Sequence, residues 1–314
     1  MQISTPVALF IFNRPDLTKI VFDRIAQVKP KKLLVVADGP RPDRLGEEEK
    51  CKQTRSIVDL VDWDCDVLTN FSAQNLCCGK RVSSGLHWVF SEVEEAIVLE
   101  DDILPTPSFF NFCQVLLERY RDDERIMHIS GDNSLNQKRN EHSYYFSKYA
   151  HIWGWASWRR AWQHYDYSIK SWADFKHSNL LAQVCDSPYE HKFWTGIFDQ
   201  MHEDPQIKDT WDYQWMYTCL SQGGLAIEPN RNLISNLGFN RLDSAHATGY
   251  NSRSKLETDD IWEIIHPPFT VRDREADSIT FDNIFDSKKL KKMDTPLGKL
   301  RQQLSLIKRS LATA

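Results

Sequence analysis

The sequence lacks several features that would narrow its function at once. No apolar run approaches the roughly 20 residues needed to cross a bilayer as a helix. The opening Met1-Gln2-Ile3-Ser4-Thr5-Pro6 has no basic region, so no secretory leader is expected. The seven cysteines are odd in number and show neither zinc-site spacing nor the paired spacing of a secreted disulfide framework. They read as reduced thiols of a cytoplasmic protein. Lysine and arginine (39) do not outnumber aspartate and glutamate (44), so no global basic field points to nucleic acid. There is no internal repeat, no low-complexity tract, and no glycine- and lysine-rich phosphate loop near the first strand. What remains is an ordinary globular composition, 41% hydrophobic and 26% charged over 314 residues, enough for a full core.

The stretch around which the rest is organised is Ala96-Ile97-Val98-Leu99-Glu100-Asp101-Asp102-Ile103. An apolar run of this length reads as a strand buried on both faces, as in a mostly parallel sheet. Three carboxylates at its end repel one another and lose hydration. A divalent cation relieves that cost, and hard carboxylate oxygens suit magnesium or manganese. The ends of strands in open α/β sheets are also where ligands bind. The alternative is a solvated acidic turn.

Upstream, Val7 to Phe12 forms a buried first strand ending in Asn13-Arg14-Pro15, and Asp16 can cap a helix to about Val28. Leu33 to Ala37 is a second buried strand, ending at Asp38-Gly39-Pro40. Strand, helix, strand opens a doubly wound α/β domain. Leu45 to Val61 has helical patterning, Val67-Leu68 reads as the start of a further strand, and Asn75 to Arg81 reads as a polar loop. Val82 to Glu95 and Phe109 to Arg121 carry a helical period, with Ile126 to Ser130 strand-like before Gly131-Asp132-Asn133. From Tyr144 the chain turns aromatic and irregular, and most of the eleven tryptophans fall between Trp153 and Trp215. Clustered tryptophan fits a core, or an aromatic cleft for sugars or bases. Helices are expected at Phe193 to His202 and from Asp212 to near Gly223-Gly224, then a short strand at Leu225-Ala226-Ile227. Asn236 to Gly249 reads as a loop.

These pieces, in this order, resemble the metal-dependent nucleotide-sugar glycosyltransferases of the GT-A fold. Within them they resemble the inverting N-acetylglucosaminyltransferase I-like group and its bacterial relatives. The most specific part is Val98 to Pro105 followed by Phe109-Phe110. Gly154-Trp155 with Trp162, and Trp211-Asp212 with Trp215-Met216, follow in the same order. The resemblance covers roughly Val7 to Thr248. It implies a Rossmann-like, mostly parallel sheet flanked by helices, with an aromatic-rich acceptor half. It divides the chain into a donor-binding half (1–133), an acceptor-binding half (134–255) and a C-terminal extension (256–314).

The resemblance also assigns roles. Asn13 and Arg14 fall in the donor site, Arg14 near the phosphates, which a guanidinium can pair. Asp38 resembles the aspartate that reads the uracil edge; alone it reads equally as a turn carboxylate. Asp102 resembles the single protein ligand of a Mn2+ or Mg2+ ion, and Glu100 and Asp101 the residues holding ribose and sugar. Asp212 resembles the catalytic base, with Asp132 as the alternative, although capping a helix would also explain Asp212. Trp155, Trp211 and Trp215 fall on the acceptor side. His246 lies in the segment that closes over bound donor. The implied activity is transfer of a sugar, N-acetylglucosamine being one option, from a UDP-sugar to a hydroxyl of a bacterial glycan. Spacing after Trp211-Asp212 departs by one residue from the eukaryotic pattern, and no stem or anchor precedes the domain, which favours an intracellular acceptor. The alternatives are a metal-dependent nucleotidyltransferase or phosphohydrolase, and a non-catalytic sugar-nucleotide-binding module.

Beyond Lys288 the tail is basic, with Leu297, Leu300, Leu304, Ile307 and Leu311 at helical spacing. Such a helix packs on its own domain or a partner subunit, or lies on an anionic membrane. The expected location is therefore cytoplasmic, with the inner membrane face as a variant. Oligomeric state is not legible.

Overall fold

A computed structural model describes residues 2–135, 137–239, 241 and 256–285. The first half alternates strand and helix. Strand β1 (Val7–Ile11) leads to α1 (Pro15–Val28), then β2 (Lys32–Ala37), α2 (Glu47–Arg55), β3 (Asp66–Phe71), α3 (Cys77–Glu92) and β4 (Glu95–Glu100). Next come β5 (Ile103–Pro105), α4 (Pro107–Arg119), β6 (Ile126–Ser130), β7 (Tyr144–Ser147) and β8 (Trp155–Trp158). Five helices follow: α5 (Arg159–Trp162), α6 (Trp172–His177), α7 (Leu180–Val184), α8 (Pro188–Glu203) and α9 (Asp212–Ser221). The described chain closes with β9 (Leu225–Pro229), β10 (Ile234–Asn236) and α10 (Arg274–Ile284). No helix among the described residues is long and apolar enough to cross a membrane.

Eight strands form one sheet in the order β3-β2-β1-β4-β8-β6-β9-β7. The first four are parallel, β6 and β9 pair in parallel, and β8 and β7 are antiparallel to their neighbours. Strands that are buried on both faces explain the continuous apolar runs. Alternate residues feed two cores. Ala8, Phe10, Leu34, Val36, Ala96 and Val98 join one, and Val7, Leu9, Ile11, Leu33, Val35, Ile97 and Leu99 the other. The first core also takes the tryptophan-rich helices and the second takes α1 and α4. After β1 the chain steps to β2 and β3 on one side, then crosses to β4 on the other. The crevice between β1 and β4 is thus the topological switch point, where such sheets bind ligands.

Several local expectations shift. Asp16 is not the cap of α1: Pro15 opens the helix and Asp16 lies in its first turn. The stretch Asn75 to Arg81 is not all loop, because α3 begins at Cys77, and it ends at Glu92. Within the stretch that reads as aromatic and irregular from Tyr144 lies a central strand, β8. Its four residues are too short to show a period. The sheet is continuous across residue 133, since β7, β8 and β9 belong to it. Residues beyond 255 also join the body. Ile261 and Phe281 enter the two cores, and Asp277 accepts a hydrogen bond from Ser147 at 2.6 Å.

Candidate functional site

Register brings the site together. Phe10 of β1 lies opposite Glu100 of β4, so Arg14 and the acidic triplet leave the sheet side by side. Arg14 Nη1 donates to Asp102 Oδ2 at 2.9 Å and to Asp101 Oδ1 at 3.3 Å. All three side chains are at most 17% exposed, so water screens the pair weakly. Glu100 continues the even-numbered face of β4 toward the tryptophan-rich side. Burial, then the charges of Asp102, Asp101 and Asp212, push its carboxyl up to about 8, against the pull of Arg14. Asp102, Asp101 and Asp212 thus all bear on Glu100, with Arg14 opposing them.

The segment after β10 lies against Asp102. Strands β10 and β5 pair antiparallel, and Leu237 N–H donates to Asp102 O at 2.8 Å. Gly238 passes so close that any Cβ there would collide with Asp102 Oδ2. Phe239 then packs edge-on to Trp153, with ring centroids 5.4 Å apart, and Arg241 pairs with Asp16 at 2.8 Å. Gly238 opens the segment, Gly238 to Thr248, that the resemblance puts over bound donor; its approach to Asp102 and the contact of its neighbour Phe239 with Trp153 show only in three dimensions. His246 lies outside the described residues.

Asp38 sits at the end of β2 with its carboxylate turned onto backbone. Its Oδ1 accepts from Gly39 N and Leu76 N, both at 2.9 Å. Burial raises its pKa, while those bonds and the charges of Arg81 and Arg55 oppose the rise. Arg55 also donates to the carbonyls of Asp38 (2.8 Å) and Ser72 (2.6 Å). The turn role of Asp38 is thus realised. Asn13 is held away from the acid cluster, donating to Glu47 Oε1 at 2.8 Å, where Glu47 also grips Arg41.

Asp212 is the first residue of α9, and Trp211 takes the capping position ahead of it. Its Oδ1 accepts from Thr210 Oγ1 and from Tyr213 N (3.0 Å). Cys78, half-buried at the start of α3, feels several of these charges. Its thiol is pushed strongly up by burial and then by Glu100, Asp209, Asp212 and Asp38. Asp38, Glu100 and Asp212 thus all act electrostatically on the Cys78 thiol. Asp209 is a residue the sequence reading left without a role. It accepts from Cys78 N (3.3 Å) and Gly79 N (3.0 Å), 130 positions back along the chain.

Other expected residues lie apart from this group. Trp155, Trp211 and Trp215 are 1%, 2% and 0% exposed, and they stack in the core. Direct contact with an acceptor does not fit that burial; of the three only Trp211 adjoins Asp212, as the residue before it in the chain. Trp215 Nε1 donates to His128 Nδ1 at 3.1 Å, and His128 Nε2 donates to His151 O at 2.8 Å. Asp132 is 0% exposed, and its charge acts on Glu228, whose carboxyl burial raises well above the usual range. A group sealed in this way has no access to an acceptor hydroxyl, which argues against it as the alternative base. A cleft of about 610 Å³ opens at the opposite, amino end of the sheet beside Pro6, Glu95 and Trp158, and contains none of these groups.

Among the described residues, no three or more His, Cys, Asp or Glu side chains are arranged to hold a metal ion. The donor chemistry still fits a hard cation bound through one carboxylate. Asp101 and Asp102 both present carboxylate oxygens here, each paired with Arg14. Phosphate and water oxygens would complete such a coordination shell.

No protein-family model matches the sequence. No curated protein matches it either. Among solved structures the chain is similar to mouse xyloside xylosyltransferase 1 in its apo form, at 9% identity over 69% of this chain and 82% of that one, with a TM-score of 0.33. It is also similar to a UDP-glucose pyrophosphorylase complexed with UDP-glucose, at 13% identity over 46% of this chain and 62% of that one, with a TM-score of 0.26. Likeness this loose carries no residue correspondence and no conclusion about activity.

Proposed function

We propose that the protein is a metal-dependent, inverting glycosyltransferase that moves a sugar from a UDP-sugar to a hydroxyl of a bacterial glycan. The observation that carries the reading is the meeting of Arg14 with Asp101 and Asp102 where β1 and β4 leave the sheet side by side, directly after Glu100. A binding module would not need a second carboxylate, delivered by a separate helix, beside the acid triplet.

In this scheme Asp102 holds a manganese or magnesium ion, whose chemistry when bound is to offset charge on the diphosphate. Arg14, now paired to Asp101 and Asp102, is within reach of the same phosphates. Glu100 and Asp101 hold ribose and sugar, and Asp38 marks the base side. Asp212 takes the proton of the acceptor hydroxyl as that oxygen bonds to the anomeric carbon. The bond from that carbon to the diphosphate oxygen breaks, and its electron pair leaves with UDP.

The test is a panel of UDP-glucose, UDP-galactose and UDP-N-acetylglucosamine offered with manganese and bacterial glycan, reading UDP release and glycan labelling. Labelled glycan is the expected result. Asp212→Asn should slow transfer by about two to four orders of magnitude while leaving donor affinity intact. Near-full activity in that variant contradicts the base assignment.

A further inference from the structure

We infer that Asp209 is a positioning residue for this transfer. It fastens the segment ahead of α9 to the start of α3 and so sets where the Asp212 carboxylate stands. The inference rests on the proposed role of Asp212 as base.

A helix leaves its first N–H groups without partners inside the helix. Leu76, at the capping position of α3, carries no capping side chain. Asp209 supplies the cap from far along the chain, accepting from Cys78 N at 3.3 Å and Gly79 N at 3.0 Å. It does so with φ of 45°, in the left-handed region that Asp and Asn adopt more readily than most residues. The two segments meet without a gap. A Cβ at Gly79 would lie 2.7 Å from both Thr210 O and the Tyr167 hydroxyl. The residue after Asp209 is Thr210, whose hydroxyl donates to Asp212 Oδ1. Tyr165 fixes the next carbonyl, donating to Trp211 O at 3.2 Å. On the other side, Leu76 N donates to Asp38. One hydrogen-bonded path therefore runs from the turn after β2, through the first turn of α3, to Asp209, Thr210 and Asp212. A cap that only stabilised α3 would leave turnover of the folded protein unchanged. A clamp on the Asp212 segment changes turnover selectively.

Two variants separate these cases. Asp209→Gly tolerates the backbone angle and removes the carboxylate; Asp209→Asn tolerates it and keeps the Oδ1 acceptor. UDP release is read from the best donor of the panel, with manganese, at saturating donor. Asp209→Gly should lower kcat by about 10- to 100-fold with donor KM unchanged, the usual effect of a displaced reacting group. Asp209→Asn should restore most of the loss. In an Asp212→Asn background, Asp209→Gly should cost nothing further, because the group it positions is gone. If Asp209→Gly does not fold, Thr210→Val carries the same test: kcat falls with the cap left intact. A wild-type kcat in Asp209→Gly, or losses that multiply in the double variant, overturns the inference while a slow Asp212→Asn keeps the base reading. Wild-type turnover in Asp212→Asn sinks the base reading, and the inference with it.

Discussion

At the scale of single residues, the account turns on how close oxygen atoms are brought together. Gly238 is the clearest case, because only a residue without a side chain can pass Asp102 at this distance. Gly238→Ala should push the Asp102 carboxylate aside and weaken manganese-supported UDP binding by about tenfold or more, roughly the effect of a misplaced ligand or its supporting shell. Calorimetric titration of UDP with manganese measures it; unchanged affinity would separate this contact from the site. His128 makes a second residue-scale prediction. Its Nδ1 accepts from Trp215 and its Nε2 donates to a carbonyl, so the buried ring is neutral, and burial depresses its pKa to about 4. An unfolded histidine binds a proton more readily, near pH 6.5. The unfolded state therefore holds more protons between pH 4 and 6.5, and stability is lost as pH falls through that window, by up to about 3 kcal/mol. His128→Asn, which cannot titrate, should flatten that part of the urea-unfolding profile. An identical slope in the variant would show that other groups carry it.

At the scale of elements, the parts readable in sequence are those whose cause is local. The strands β1, β2 and β4 announce themselves as apolar runs because they are buried on both faces. The helices α1, α4 and α9 follow from period and turn chemistry, to within a few residues. The start of α3 was missed because its cap, Asp209, is 130 positions away. The strand β8 was missed because its four residues lie within a tryptophan-rich stretch whose pattern fits either state. Burial of that stretch makes its own prediction. Trp211→Ala should cost about 3–5 kcal/mol, as large-to-small changes in a packed aromatic core do, and should lower the unfolding midpoint more than it lowers donor affinity. A loss confined to acceptor affinity, with the midpoint unmoved, would return Trp211 to the cleft surface.

At the scale of the whole molecule, the order β3-β2-β1-β4 decides where function sits. The crossing from β3 to β4 opens the crevice into which Arg14 and the acid triplet both emerge. That part of the site was legible, since polar residues closing buried strands stand out against the apolar runs. The company each residue keeps was not legible. The occupation of Asp38 by Leu76, the sealing of Asp132 beside Glu228, and the approach of Gly238 to Asp102 all depend on contacts distant in sequence. The meeting of Arg14 with Asp101 and Asp102 at the crevice is the property on which the whole proposal stands. The most direct measurement is calorimetric binding of UDP, with and without manganese, to the unaltered protein and to Asp102→Asn. The account predicts binding that requires manganese and disappears in the variant. Equal affinity in all four titrations would contradict it.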